Sequence, residues 1–120
     1  YLDSPMAIQA SKIYVSHPEL WNDRLKEIVR ERPLRDELAA SKSKLCTTAQ
    51  ESRALNDIRG TCMILAGAGM CNAGRILHHL RNSAWKPETS VLIVGYQCRG
   101  SVGRAMVEGA KIARSELGKA

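Results

Sequence analysis

Hydrophobic and polar positions change rhythm near the middle of the chain. In the first half, apolar residues recur at helical spacing. Asp3-Ser4-Pro5 reads as a helix start, with Ser4 as N-cap and Pro5 at the first helical position. Met6, Ala10, Ile13 and Tyr14 then form one apolar stripe. Ser16 and Glu19 have the spacing of a capping box and predict a second helix carrying Trp21, Leu25, Ile28 and Val29, which Pro33 interrupts. Residues 34–46 are mixed and charged, and read as a further helix followed by a loop. Thr48 and Glu51 form another capping box, opening a helix through Leu55 and Ile58 that Gly60 ends.

In the second half the pattern becomes runs and turns. Thr61 to Ala66 is a continuous apolar run, followed by Gly67-Ala68-Gly69 and a helix from about Asn72 with Ile76, Leu77 and Leu80 on one face. Ser90 to Tyr96 is a second run, followed by Gly100-Ser101-Val102-Gly103 at the start of another helix. Unbroken apolar runs, each followed by a glycine turn and a helix, are the pattern of buried parallel strands in strand–loop–helix units. The prediction is an α/β fold with helices on the faces of a sheet. Residues 110–114 fit either a helix tail or a third strand.

Composition narrows the class. The chain has 120 residues, 44% hydrophobic and 25% charged, which suits one globular domain with a modest core. No run approaches the roughly 18 apolar residues of a membrane span. The chain opens on Tyr1 rather than Met and is expected to be part of a longer protein; no signal-peptide pattern precedes its first helix. Residues 1–60 hold 10 basic and 9 acidic residues, a net of +1; residues 61–120 hold 8 and 3, a net of +5. A basic half carrying glycine loops suits an anionic partner, nucleotide or nucleic acid. Cys46, Cys62, Cys71 and Cys98 form no CxxC pair, and a reducing cytoplasm is the expected compartment.

Ligands of open parallel sheets sit beyond the carboxyl ends of the strands. Here those ends lead into helix starts, where free amides and the helix dipole favour an anion. Arg75 and Arg104 lie near two of these starts, and anion binding is the preferred reading over glycines that only make turns. Gly67 to Gly74 spells GxGxxxxG, not the GxGxxG of dinucleotide folds, so a small nucleotide-binding protein is an alternative only. Metal binding is not expected: His17, His78 and His79 are the only histidines, and adjacent helical histidines point about 100° apart. His79 reads as a packed or interface histidine, and Asp3 as a cap or supporting hydrogen-bond acceptor rather than a catalytic carboxylate. The shortage of aromatics argues for contacts to a nucleic-acid backbone over base stacking.

Several segments together resemble the β-CASP family of the metallo-β-lactamase superfamily. They are Leu2-Asp3-Ser4-Pro5-Met6-Ala7, Glu51 to Asn56, Ala66 to Met70, Gly74 to Leu80, Val94 to Gln97 and Gly100 to Arg104. The likeness runs from Leu2 to about Lys111. It implies a small parallel-sheet, three-layer, Rossmann-like cap spanning residues 1–120, belonging to a larger nuclease whose catalytic domain lies elsewhere. It implies RNA as the partner, gripped by its phosphates over a cleft that holds two zinc ions in the parent enzyme. The matching positions for substrate binding are Ser4, Gly67, Gly69, Arg75, Gly100, Ser101 and Arg104; Ser101 stands where many members have threonine. The family's HxHxDH metal motif is absent from the sequence, so these 120 residues alone are expected to hold no metal and to show no hydrolase activity. The missing metallo-β-lactamase domain is the expected intramolecular partner, with self-association through the face it leaves. A noncatalytic protein-interaction module is the other alternative.

Overall fold

The computed structural model describes residues 1–31 and 44–110. Strand β1 (Leu2–Asp3) runs straight into helix α1 (Pro5–Ser16), with Ser4 as the joint. Ser4 is extended at φ −150° and its Oγ accepts the amide of Ala7 at 3.3 Å, the expected N-cap. The face that α1 buries is not the predicted one. Ile8 is 2% exposed, with Ser11 and Val15 half-buried on the same side, while Met6, Ile13 and Tyr14 face solvent. Residues 8, 11 and 15 share a helical face as well as 6, 10 and 13 do. The single-residue joint to β1 decides which of them meets the sheet.

The Ser16–Glu19 capping box does not form. Ser16 Oγ donates instead to Ile13 O at 2.8 Å, and Glu19 pairs with His17 at 2.9 Å. Pro18–Leu20 make one 3-10 turn, and Trp21 returns to extended backbone. Its indole Nε1 donates to Tyr14 O at 2.9 Å, and the two rings stack with centroids 6.0 Å apart. Helix α2 (Asp23–Glu31) therefore starts late, with Asn22 Oδ1 accepting the amide of Leu25 at 2.8 Å. The Pro33 break and most of the mixed segment 34–46 lie outside the described residues, as does the tail from 111 onward.

Helix α3 (Ala49–Ala54) begins as read: Thr48 Oγ1 accepts the Glu51 amide at 3.1 Å and Glu51 Oε2 accepts that of Thr48 at 2.9 Å. A 3-10 turn, Leu55–Asp57, continues it and buries Leu55. The helical backbone ends sooner than predicted: Ile58 is already extended, two residues before Gly60 at φ +94°. Strand β2 (Leu65–Ala66) then pairs with β1 in parallel, Leu2 opposite Leu65 and Asp3 opposite Ala66. On its other side β1 meets Leu45 through a parallel bridge, with Leu2 N donating to Lys44 O and Cys46 N to Leu2 O, both at 2.9 Å. Helix α4 (Arg75–Ser83) starts three residues later than predicted, after Gly74, and helix α5 (Val102–Val107) follows Ser101.

The class is α/β, with helices around a small parallel sheet. Both apolar runs depart from the expected buried strands: of 61–66 only Leu65–Ala66 is strand, and Met63 and Leu65 are 69% and 52% exposed. Among the described residues, 90–96 joins no strand, and Leu92, Val94 and Tyr96 are 79%, 90% and 75% exposed. A continuous run becomes a buried strand only where both faces are covered, and no described element covers this one. The buried set is correspondingly small and half polar: Ile8, Cys46, Leu55, Cys71 and Val102 stand beside Asp3, Ser52, His79, Gln97 and Ser101. No described helix is long and apolar enough to cross a membrane.

Candidate nucleic-acid interface

Parallel pairing of Asp3 with Ala66 sets the next residues, Ser4 and Gly67, side by side. A Cβ on Gly67 would lie 3.7 Å from Ser4 Oγ. Beyond Gly67 the chain folds back on itself: Ala68 N donates to Ala73 O at 3.1 Å, and Ile76 N to Gly67 O at 2.9 Å. That return needs a glycine at 74. Its φ is +80°, and a Cβ there would stand 2.6 Å from Gly67 O.

The second glycine turn docks on the first. Gln97 Nε2 donates to Gly69 O at 2.9 Å, Gly103 N to Met70 O at 3.1 Å, and Val102 N to Asn72 Oδ1 at 2.8 Å. Gly103 packs so closely on the Gln97 side chain that a Cβ would collide with Oε1. These bonds gather Ser4, Gly67 and Gly69 with the turn that carries Gly100 and Ser101 into one rim; the strand–loop–helix reading put the second turn at the end of a sheet strand, but among the described residues 90–96 forms none, and docking holds the turn instead. Gly69 and Gly100 have open space before them. Arg104, on the first turn of α5, is 40% exposed, and its Nε donates to Glu108 at 2.6 Å.

Three expectations about this rim are corrected. First, most helix-start amides are not free: those of Ala7, Ile76, Val102, Gly103 and Arg104 already have protein acceptors. Short turns between packed elements must satisfy their own backbone. Second, Ser101 is 2% exposed, and its Oγ donates to Cys98 O at 2.8 Å while accepting Arg104 N at 3.1 Å. It caps α5 instead of facing outward. Third, the Arg75 guanidinium turns inward.

Arg75 is the first residue of α4. Its Nη1 donates to Asp3 Oδ1 at 2.5 Å and to Cys46 O at 2.9 Å, and its Nη2 to Thr47 O at 3.0 Å. The carboxylate it meets is wholly buried. Asp3 Oδ2 also takes Ser52 Oγ at 2.5 Å and lies 2.6 Å from His79 Nε2. Burial pushes the Asp3 carboxyl up, but hydrogen bonds from Ser52, His79 and Arg75 and the guanidinium charge outweigh it. Its pKa falls below the ordinary value. Desolvation raises the thiols of Cys46 and Cys71, for Cys46 with help from the Asp3 and Glu51 charges, so both stay protonated near neutrality.

Ser52 and His79 share one oxygen of Asp3 instead of bonding each other, so the cluster is not a nucleophile and its base. Among the described residues no three His, Cys, Asp or Glu side chains are placed to hold a metal ion. Ser52 and Gln97 lie in segments that carry the family resemblance and Asn72 at an expected helix start, but none of the three stands out there as a site residue. Arg75 and His79, which both meet Asp3, are four residues apart and so share a helix face.

The Beta-Casp domain profile matches residues 1–106. The chain belongs to the Beta-Casp domain family. This Beta-Casp domain is 31% identical over 109 residues to Ribonuclease TTHA0252 of Thermus thermophilus, covering 89% of the chain and 24% of that relative. It is 30% identical over 112 residues to Probable RNase MJ4 of Methanocaldococcus jannaschii, covering 93% and 24%. It is 28% identical over 111 residues to Transcription termination factor FttA of Methanosarcina mazei, covering 92% and 17%. The domain thus spans a quarter or less of the length of these relatives.

Proposed function

We propose that this Beta-Casp domain is the RNA-binding cap of a zinc-dependent, metallo-β-lactamase-type ribonuclease acting in the cytoplasm. The observation that carries the reading is the docking of the Gln97–Gly103 turn onto the Gly67–Asn72 turn beside Ser4, in the half of the chain with a net charge of +5. Two relatives named as ribonucleases support the substrate class.

In this reading the Ser4 hydroxyl, the backbone at Gly67, Gly69 and Gly100 and the Arg104 guanidinium meet the phosphates of a single strand. Ser101 and Arg75 stand behind that contact set. In this reading the two zinc ions and the hydrolytic step belong to the rest of the enzyme. The chain's own share is to hold and orient the strand.

The test is binding of single-stranded RNA over a salt series. Affinity should fall linearly in log–log form with rising salt as counterions leave the phosphates. Binding indifferent to salt, or none, would remove the reading. A second reading, a noncatalytic protein-docking module, is favoured by one observation: the exposed apolar run with Leu92, Val94 and Tyr96. It predicts a folded domain without RNA affinity.

A further inference from the structure

We infer that Arg75 is a positioning residue for the RNA rim and not one of its phosphate ligands. This rests on the RNA-binding reading above. The guanidinium spans three separate stretches of chain. It starts on α4, immediately after Gly74 closes the 67–74 turn, and reaches Asp3 on β1 and the carbonyls of Cys46 and Thr47.

Asp3 is the residue before Ser4. Its fully buried carboxylate is also held by Ser52 from α3 and by His79 one turn along α4. The carboxylate therefore fixes the end of β1 against the first turn of α4. On one side of that lock stands the Ser4 hydroxyl; on the other stands Gly67, whose carbonyl accepts Ile76 N. The separation of Ser4 from the glycine backbone is set by this clamp. Two guanidinium nitrogens in one plane make it, Nη1 to Asp3 and Cys46 O and Nη2 to Thr47 O, and a lysine ammonium cannot reproduce that shape.

The two roles predict opposite signs for Asp3→Asn. A phosphate ligand held in reserve would be released when the Asp3 charge is removed, and RNA would bind as well or more tightly. A positioning residue loses its anchor, and RNA binds more weakly. Arg75→Lys separates them again: it keeps the charge, so a phosphate ligand keeps most of its effect, whereas the clamp is lost.

The experiment measures binding of a fluorescein-labelled oligouridine by the full chain and by D3N, R75K and S52A over a potassium chloride series. A thermal melt confirms that each variant is folded at the assay temperature. Expected are affinities about tenfold lower for D3N and R75K, a smaller loss for S52A, and a salt slope equal to that of the unsubstituted protein in all three. Serine 52 keeps the test open if the charged-site variants do not fold, since S52A leaves both Asp3 and Arg75 in place. Unchanged or tighter binding by the folded variants would overturn the inference, as would a slope reduced by about 0.7, the value for one lost phosphate contact on a single strand. If the unsubstituted protein binds no RNA, the RNA reading fails first, before any variant is compared, and this inference falls with it.

Discussion

Asp3 is a short side chain that does more than its place in the LDSP turn suggests. A buried carboxylate needs partners for nearly every lone pair, and this one is met by Ser52, His79 and Arg75. Because its folded pKa lies below its unfolded value, the stability it contributes is full above about pH 4, the unfolded pKa, and is lost as pH falls through the folded one. Asp3→Asn should remove that acid-side loss and lower stability at neutral pH by about 3 kcal/mol, as breaking a buried pair does. Urea midpoints measured across the acid range check both. Gly74 is the other position with little freedom. Alanine there would carry a positive φ and press on Gly67 O. Gly74→Ala should cost at least about 2 kcal/mol, read as a fall in melting temperature.

Among elements, the two capping boxes make a controlled comparison. Thr48–Glu51 forms, and Thr47 N donates to the same Glu51 oxygen at 2.7 Å, which holds that carboxylate over the helix start. Ser16–Glu19 has equivalent chemistry and fails. Ser16 finds Ile13 O, Glu19 finds His17, and Asn22 caps the helix instead. A box motif gives the local option, and the competing acceptors decide. The run 90–96 makes the same point at larger size. Its residues are those of a buried strand, yet Leu92 and Val94 lie in water. Leu92→Ser should therefore change the stability of the chain by no more than about 0.5 kcal/mol, where a buried leucine would cost several times that. Equilibrium denaturation distinguishes the two.

For the whole molecule, the charge and the rim act together. The net charge of +6 sits mostly in the half with the glycine turns, which favours encounter with a polyanion whatever its sequence. Arg104 faces solvent at the rim, and among the described residues its guanidinium pairs with Glu108, the C-cap of its own helix. An exposed pair four residues apart is weak, and a phosphate can displace it. Arg104→Ala should reduce the salt slope of RNA binding by about 0.7 and leave the melting temperature near that of the unsubstituted protein. A titration at several salt concentrations checks this.

The sequence alone determined the features made by neighbours in the chain: the Ser4 cap and the Thr48–Glu51 box. These depend on residues one to four positions apart, whose geometry a helix or turn fixes in advance. Family membership was legible for a similar reason, because short motifs keep their order along the chain. Only the tertiary structure decided which face of α1 is covered, whether 90–96 has a neighbour, and where Arg75 points. Periodicity says that a side is apolar but not what lies against it. A guanidinium near a helix start has the same local chemistry whether it faces a phosphate or, as here, a carboxylate that is 72 residues away in sequence.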